Sequence, residues 1–136
     1  MPLTATQHTA DGAKAFAEFF IKTIDWGYAT TSSTYMRHYF GKSCIGCNST
    51  ARALDKARRQ QHHFIGDRLI LRAAQIKSSD AVHSQLLATF DVTSAEVVDR
   101  NDKYVHAVPA LIDYRELLTL AWSSDQWSVG EFAAQP

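Results

Sequence analysis

Apolar residues recur along the first thirty positions at helical spacing. Ala13, Phe16, Ala17, Phe20, Ile21, Ile24 and Tyr28 share one face, and Lys14, Glu18, Lys22 and Asp25 fall on the other. This predicts a helix over residues 10–29 with Thr9 as N-cap and Asp11 in the first turn. Phe19 and Trp26 lie off the stripe and call for a second element on that flank. Thr30-Thr31-Ser32-Ser33 ends the helix. Residues 34–40 predict a short second helix with Tyr35, Met36, Tyr39 and Phe40 on its apolar side, stopped by Gly41. A third helix is expected from Ala51 to about Phe64, capped by Asn48, Ser49 or Thr50 and closed by Gly66. Its core stripe would be Cys47, Ala51, Leu54 and Ile65.

From Asp67 the period changes to two, the mark of strands. One strand covers Leu69 to Ile76 and turns at Ser78-Ser79-Asp80. The next carries Val82, Leu86, Ala88, Phe90 and Val92 inward, which leaves Asp91 toward solvent. Ala95 to Arg100 extends it, and Asn101-Asp102-Lys103 turns the chain. Residues 104–114 form a further strand, with His106 on the face of Val108 and Ile112 and with Pro109 at a bulge or an edge. Residues 117–123 and 127–132 make a closing hairpin. The expected class is α+β: three N-terminal helices packed on one curved antiparallel sheet. The expected organisation is a flexible, polar tail over residues 1–9 and a single domain over residues 10–133.

Composition narrows the function classes. A chain of 136 residues that is 46% hydrophobic can bury a core of its own. Lys+Arg and Asp+Glu both number 14, which argues against a nucleic-acid partner, since that needs a basic stripe. No apolar run approaches the roughly 20 residues of a membrane helix. The start, Met1-Pro2-Leu3-Thr4, has no basic segment followed by an apolar one. Either the protein is cytosolic or this is a mature domain without its leader, and the linker-like residues 1–9 favour the second.

Three stretches carry a resemblance: Thr9-Ala10-Asp11-Gly12-Ala13 leading into Phe16 and Phe20, then Asp25-Trp26-Gly27-Tyr28-Ala29-Thr30, then Ser43-Cys44-Ile45-Gly46-Cys47. Together they resemble a family of actinobacterial secreted lipoproteins of unknown function, which is similar to the nuclear transport factor 2-like superfamily, a cone-shaped α+β fold. The close of the chain, Leu118-Thr119-Leu120-Ala121-Trp122 through Trp127-Ser128-Val129, resembles the last hairpin of that superfold. The resemblance implies a pocket between sheet and helices, and a secreted or cell-envelope location. It implies membrane attachment only through a lipid anchor that this sequence does not contain. It supplies no catalytic residues.

The C-x-x-C of Cys44 and Cys47 admits three readings. A redox site needs a strand before the motif, and here helices precede it. A zinc site would recruit His62 and His63, but neighbouring helical side chains point roughly 100° apart. In an extracytoplasmic protein the pair would be a disulfide that fixes the bend before the third helix and contributes about 2 kcal/mol. The residues placed to line a pocket are Trp26, Tyr28, Tyr35, His106, Tyr114 and Trp122, with Asp91 and Asp113 within reach. None forms a recognisable catalytic pair, and no nucleophile elbow, phosphate loop or H-E-x-x-H occurs. No metal or cofactor is expected. The reading is a non-catalytic, extracytoplasmic binding or interaction module, for a small apolar ligand or for a protein partner that includes a second copy. The alternatives are a small enzyme of the same fold carrying out isomerase- or dehydratase-like proton transfer, and a thiol–disulfide protein.

Overall fold

Thr9 starts the first helix. Its hydroxyl accepts the Gly12 amide at 2.9 Å, and α1 runs over Ala10–Thr30. In the computed structural model, which describes residues 1–66, 68–80 and 82–135, Ala13, Phe16, Ala17, Phe20, Ile21 and Ile24 are all buried. Thr31, at φ 51°, turns the chain out of the helix.

The second predicted helix is absent. Residues 34–40 hold a single 3-10 turn, Met36–Tyr39. Tertiary contacts leave no room for more. Ser33 Oγ donates to Asp55 Oδ1 at 2.5 Å and the Arg37 guanidinium holds Asp55 Oδ2 at 2.7 Å. By Phe40 the backbone is already extended and bridges to Val129. One turn without continuation cannot offset the cost of helix nucleation. It still covers the flank of α1: the Tyr35 and Tyr39 rings meet Phe19 edge-on at 6.1 and 5.0 Å.

The next helix, α2, spans Ile45–Arg59, so it starts earlier and ends earlier than its sequence signals imply. Cys44 is the N-cap, its sulfur accepting the Cys47 amide at 3.3 Å. Asn48 lies inside the helix and donates to the Lys42 and Cys44 carbonyls at 3.1 and 3.0 Å. At the other end His62 N–H reaches the Ala57 carbonyl at 2.8 Å and Gln61 N–H the Arg58 carbonyl at 3.0 Å, around a left-handed Gln61 (φ 58°). This is a Schellman cap with Gln where Gly is usual, so the composition hides it. Gly66 ends no helix, and Ile65 is exposed rather than in the helix core.

Seven strands follow: β1 (His63–Ile65), β2 (Leu69–Ser79), β3 (His83–Val92), β4 (Ala95–Val98), β5 (Tyr104–Val108), β6 (Leu111–Ser123) and β7 (Gln126–Gln135). They form two antiparallel sheets in the orders β2-β3-β6-β7 and β1-β4-β5. The expected class, three N-terminal helices on one curved sheet, is therefore corrected to two α-helices and two sheets among the described residues. The predicted strand over residues 104–114 is two strands, parted at Pro109, which has no amide for a ladder. Conversely, β6 runs unbroken through Arg115 and Glu116, where the sequence reading left a gap.

The core lies between the helices and the four-stranded sheet, where Phe16, Phe20, Met36, Leu54, Leu86, Leu118, Leu120 and Val129 are shut from solvent. Asp25 ties the layers together, accepting the Leu69 amide at 2.8 Å. Leu3–Thr6 forms a 3-10 turn with Ala5 buried, and Trp127 Nε1 donates to the Gln7 carbonyl at 2.9 Å. Asp91 alternates with the cavity-lining Phe90 and Val92 and so lies on the other face of β3, as the spacing predicts, yet it is buried rather than open to solvent. The bulge between Phe90 and Val92 in the β3–β6 pairing puts the extra residue on β6, opposite Asp91, and leaves the alternation of β3 intact. The Asp91 carboxylate takes the Arg72 guanidinium (Nε at 2.6 Å) and the Asp113 amide (3.0 Å). The Arg72 bond, with the amide second, holds it below the usual carboxylate range.

Candidate functional site

A cavity of about 500 Å³ opens where the core is not filled. Ile24 and Tyr28 of α1 bound it on one side, and Thr50, Ala53, Lys56 and Ala57 of α2, with Gln60 at its C-cap, on another. The sheet side is Phe90 and Val92 of β3, Tyr114 and Glu116 of β6, and Phe132 of β7. Val97, His106 and Val108 of the small sheet complete the wall. The lining is mostly aliphatic and aromatic.

One wall residue breaks that pattern. Stepping back by twos from Leu120 along β6 gives Leu118, Glu116 and Tyr114, all on one face because strand side chains alternate. Glu116 is thereby carried into the interior at 7% exposure. The Tyr114 hydroxyl donates to its carboxyl. Oε2 is buried and has no hydrogen-bond partner among the described residues. Burial pushes Glu116 up to about 7, the Tyr114 bond acting in the opposite direction. Tyr114 is pushed up to about 12, first by burial and then by the bond to Glu116 and its charge. The cavity wall thus carries one carboxyl, poised between charge states near neutral pH.

Of the six residues expected to line a pocket, the structure brings Tyr28, His106 and Tyr114 together here. Tyr28 also meets Phe64 edge-on at 5.1 Å. Trp26 and Tyr35 pack against each other at 5.4 Å in a separate surface cleft with Thr34 and His38. Trp122 lies at the far end of β6, stacked on His8 at 4.3 Å and edge-on to Trp127. Asp91 is occupied by Arg72 and Asp113 and does not line the cavity. Sequence reasoning missed Glu116, along with Lys56, Gln60 and His62 at the same cavity. A signal existed: the alternation Tyr114-x-Glu116-x-Leu118-x-Leu120 puts an acid on an otherwise apolar face.

Cys44 and Cys47 are joined in a disulfide, with Cα atoms 5.3 Å apart and both residues buried. With the sulfurs bonded to each other, neither serves as a metal ligand or an attacking thiolate. His62 lines the cavity, whereas His63 faces Asp102 at 3.3 Å.

The sequence model of one protein family matches residues 1–133. The chain belongs to that family, DUF6318, a family of unknown function. This agrees with the resemblance read from the sequence only in the absence of a known function. No curated protein matches the DUF6318 chain. Solved structures similar to it include the intermembrane space region of the chloroplast protein ARC6, at TM-score 0.61 and 12% identity, covering 95% of this chain and 99% of that one. A protein from Novosphingobium aromaticivorans, provisionally assigned as an aromatic ring hydroxylase, superposes at 0.59 with 10% identity, over 88% of this chain and 85% of its own. A provisionally assigned calcium/calmodulin dependent protein kinase II association domain from Xanthomonas campestris gives 0.55 with 7% identity, over 94% and 87%. At these identities the likeness is of fold alone.

Proposed function

We propose that this chain binds a small, mainly apolar molecule in the cavity between the helices and the sheets, with Glu116 recognising its polar group. One observation carries the reading: a buried carboxyl side chain, Glu116, stands in the wall of a mostly apolar cavity of about 500 Å³. That volume is within the range of small-molecule sites, which combine apolar walls with a few placed polar groups.

The test is thermal stabilisation of the purified protein by a panel of neutral apolar molecules, run beside Ala53→Phe. Ala53 is exposed on α2 and lines the cavity, so the larger ring blocks the space without entering the core. Compounds that stabilise the native chain and not the variant support the reading. Equal shifts in both, or none in either, overturn it.

Glu116 also favours a second reading, acid–base chemistry, because a carboxyl near 7 beside a tyrosine is suited to proton transfer at neutral pH. Turnover of a bound compound that Glu116→Gln abolishes while binding persists would select it. The setting we propose is outside the cytoplasm, secreted or held at the cell envelope, as in the actinobacterial lipoproteins the sequence resembles. The Cys44–Cys47 bond supports this, since such bonds persist in oxidising compartments. Alkylation of thiols in fractionated native cells tests it: a free dithiol in a cytoplasmic fraction would overturn the assignment.

A further inference from the structure

We infer that the cavity selects a two-ended ligand, an apolar hydroxy acid whose hydroxyl meets Glu116 at the inner wall and whose acid group faces Lys56 at the opening. The inference rests on the binding reading above and names the chemistry of that site.

The two ends of the cavity differ. At the inner end Glu116 is buried and its Oε2 is unmatched, while Tyr114 donates to the same carboxyl. A ligand group that both donates and accepts suits this end in either protonation state. It donates to the carboxylate, or accepts from the carboxylic acid. A hydroxyl does both, whereas an ether or a ketone only accepts.

The outer end is basic. The lining residues that reach solvent include Lys56 and Gln60 from one face of α2, and His106 from β5. His62 lines the wall half-buried, with the Asp99 carboxylate near enough to interact with it. Lys56 has no ion-pair partner among the described residues, whereas Arg37, Arg68 and Arg72 are each paired to an aspartate. Glu116 is the sole carboxylate among the described lining residues, and it is at the other end. An acid group at the mouth therefore meets a cation and no lining anion. Between the ends the walls are Ile24, Phe90, Val92, Val97 and Phe132, which accept only a hydrocarbon body.

The experiment compares three probes of equal length by calorimetric titration at low salt: an ω-hydroxyalkanoate, the alkanoate without the hydroxyl, and the alkanol without the acid. Lengths from about eight to about sixteen carbons cover a cavity of this class. Expected for the native chain is tightest binding of the hydroxy acid. Loss of the hydroxyl should weaken it about tenfold, because the bond is to a charged, buried group. Loss of the acid should weaken it about threefold, as for an exposed pair, and salt should shrink this difference. Glu116→Leu should erase the first difference alone and Lys56→Glu the second alone. If all three probes bind equally, or if the variants change them equally, the inference is overturned while the binding reading stands. If none binds, the neutral probe N-phenyl-1-naphthylamine separates the cases. Its fluorescence in the native chain, lost in Ala53→Phe, keeps the cavity as a site and overturns the hydroxy acid. No fluorescence in either overturns both.

Discussion

Gly46 lies so close to β7 that a Cβ on it would stand 1.8 Å from the Phe132 carbonyl oxygen. The C-x-x-C therefore carries a third requirement between its cysteines: the first turn of α2 can press on β7 only without a side chain. The disulfide, the Cys44 cap and Gly46 together set where α2 runs, and α2 forms one wall of the cavity.

Gly46→Ala should destabilise the protein by about 2 kcal/mol, in the range of overpacking without an available rotamer. Gly130→Ala is the control. A Cβ there meets only the Thr119 carbonyl oxygen at 3.6 Å, an ordinary contact. Urea denaturation of the two variants should show a lower midpoint for the first and little change for the second.

Removing the disulfide by the double change Cys44→Ser and Cys47→Ser should cost about 2 kcal/mol, since the closed loop is short. The fold should survive, because the cysteines are two members of a core that also holds Phe16, Phe20, Leu54, Leu118, Leu120 and Val129. Retained near-ultraviolet circular dichroism with a lowered thermal midpoint would match this. Complete unfolding would show that the bond organises more than the start of α2.

Glu116 makes stability depend on pH in a defined window. Its pKa is raised from 4.5 to about 7 on folding, so the folded state holds the proton longer than the unfolded one. Below 4.5 both states are protonated and the group costs nothing. As pH rises from 4.5 to about 7 the unfolded chain ionises first, and stability falls. Above that the loss is complete, about 2 kcal/mol after discounting for solvent in the cavity. Glu116→Gln should flatten this decline, so the variant gains on the native chain as pH rises from 5 to 8 or so. Asp91, Asp55, Asp80 and Asp99 act oppositely. Their carboxyls are held low, so their stabilisation is present above 3.8 and lost as pH falls below it.

Tyr114→Phe removes the donor that holds Glu116 down. The Glu116 midpoint should move above about 7, while loss of the hydroxyl leaves the ring packed on Phe90 at 5.4 Å. The infrared band of the protonated carboxyl, followed against pH, reads this directly. An unchanged midpoint would show that the hydrogen bond contributes nothing to the balance.

Local pattern determined a good part of this protein. Six of the buried positions of α1, from Ala13 to Ile24, and its Thr9 cap follow from spacing and side-chain chemistry within a few residues. So do the period-two strands and the turn at Asp80, whereas the bend expected around Cys44 and Cys47 is the first turn of α2. The tertiary structure decided what depends on partners distant in the chain. Asp55 and Val129 capture residues 33–41 before a second helix can form. Pro109 marks a switch between sheets that period-two alternation alone does not reveal. Asp91 keeps the face that alternation gives it, but Arg72 and the Asp113 amide, distant in the chain, close over it and bury it. Glu116 lies between these cases. Its face was readable once β6 is taken as one strand, but that continuity comes from pairing with Ala88 on one side and Ala134 on the other. A strand's neighbours, not its own residues, settle where it breaks, and here they determine that a carboxyl lines the cavity.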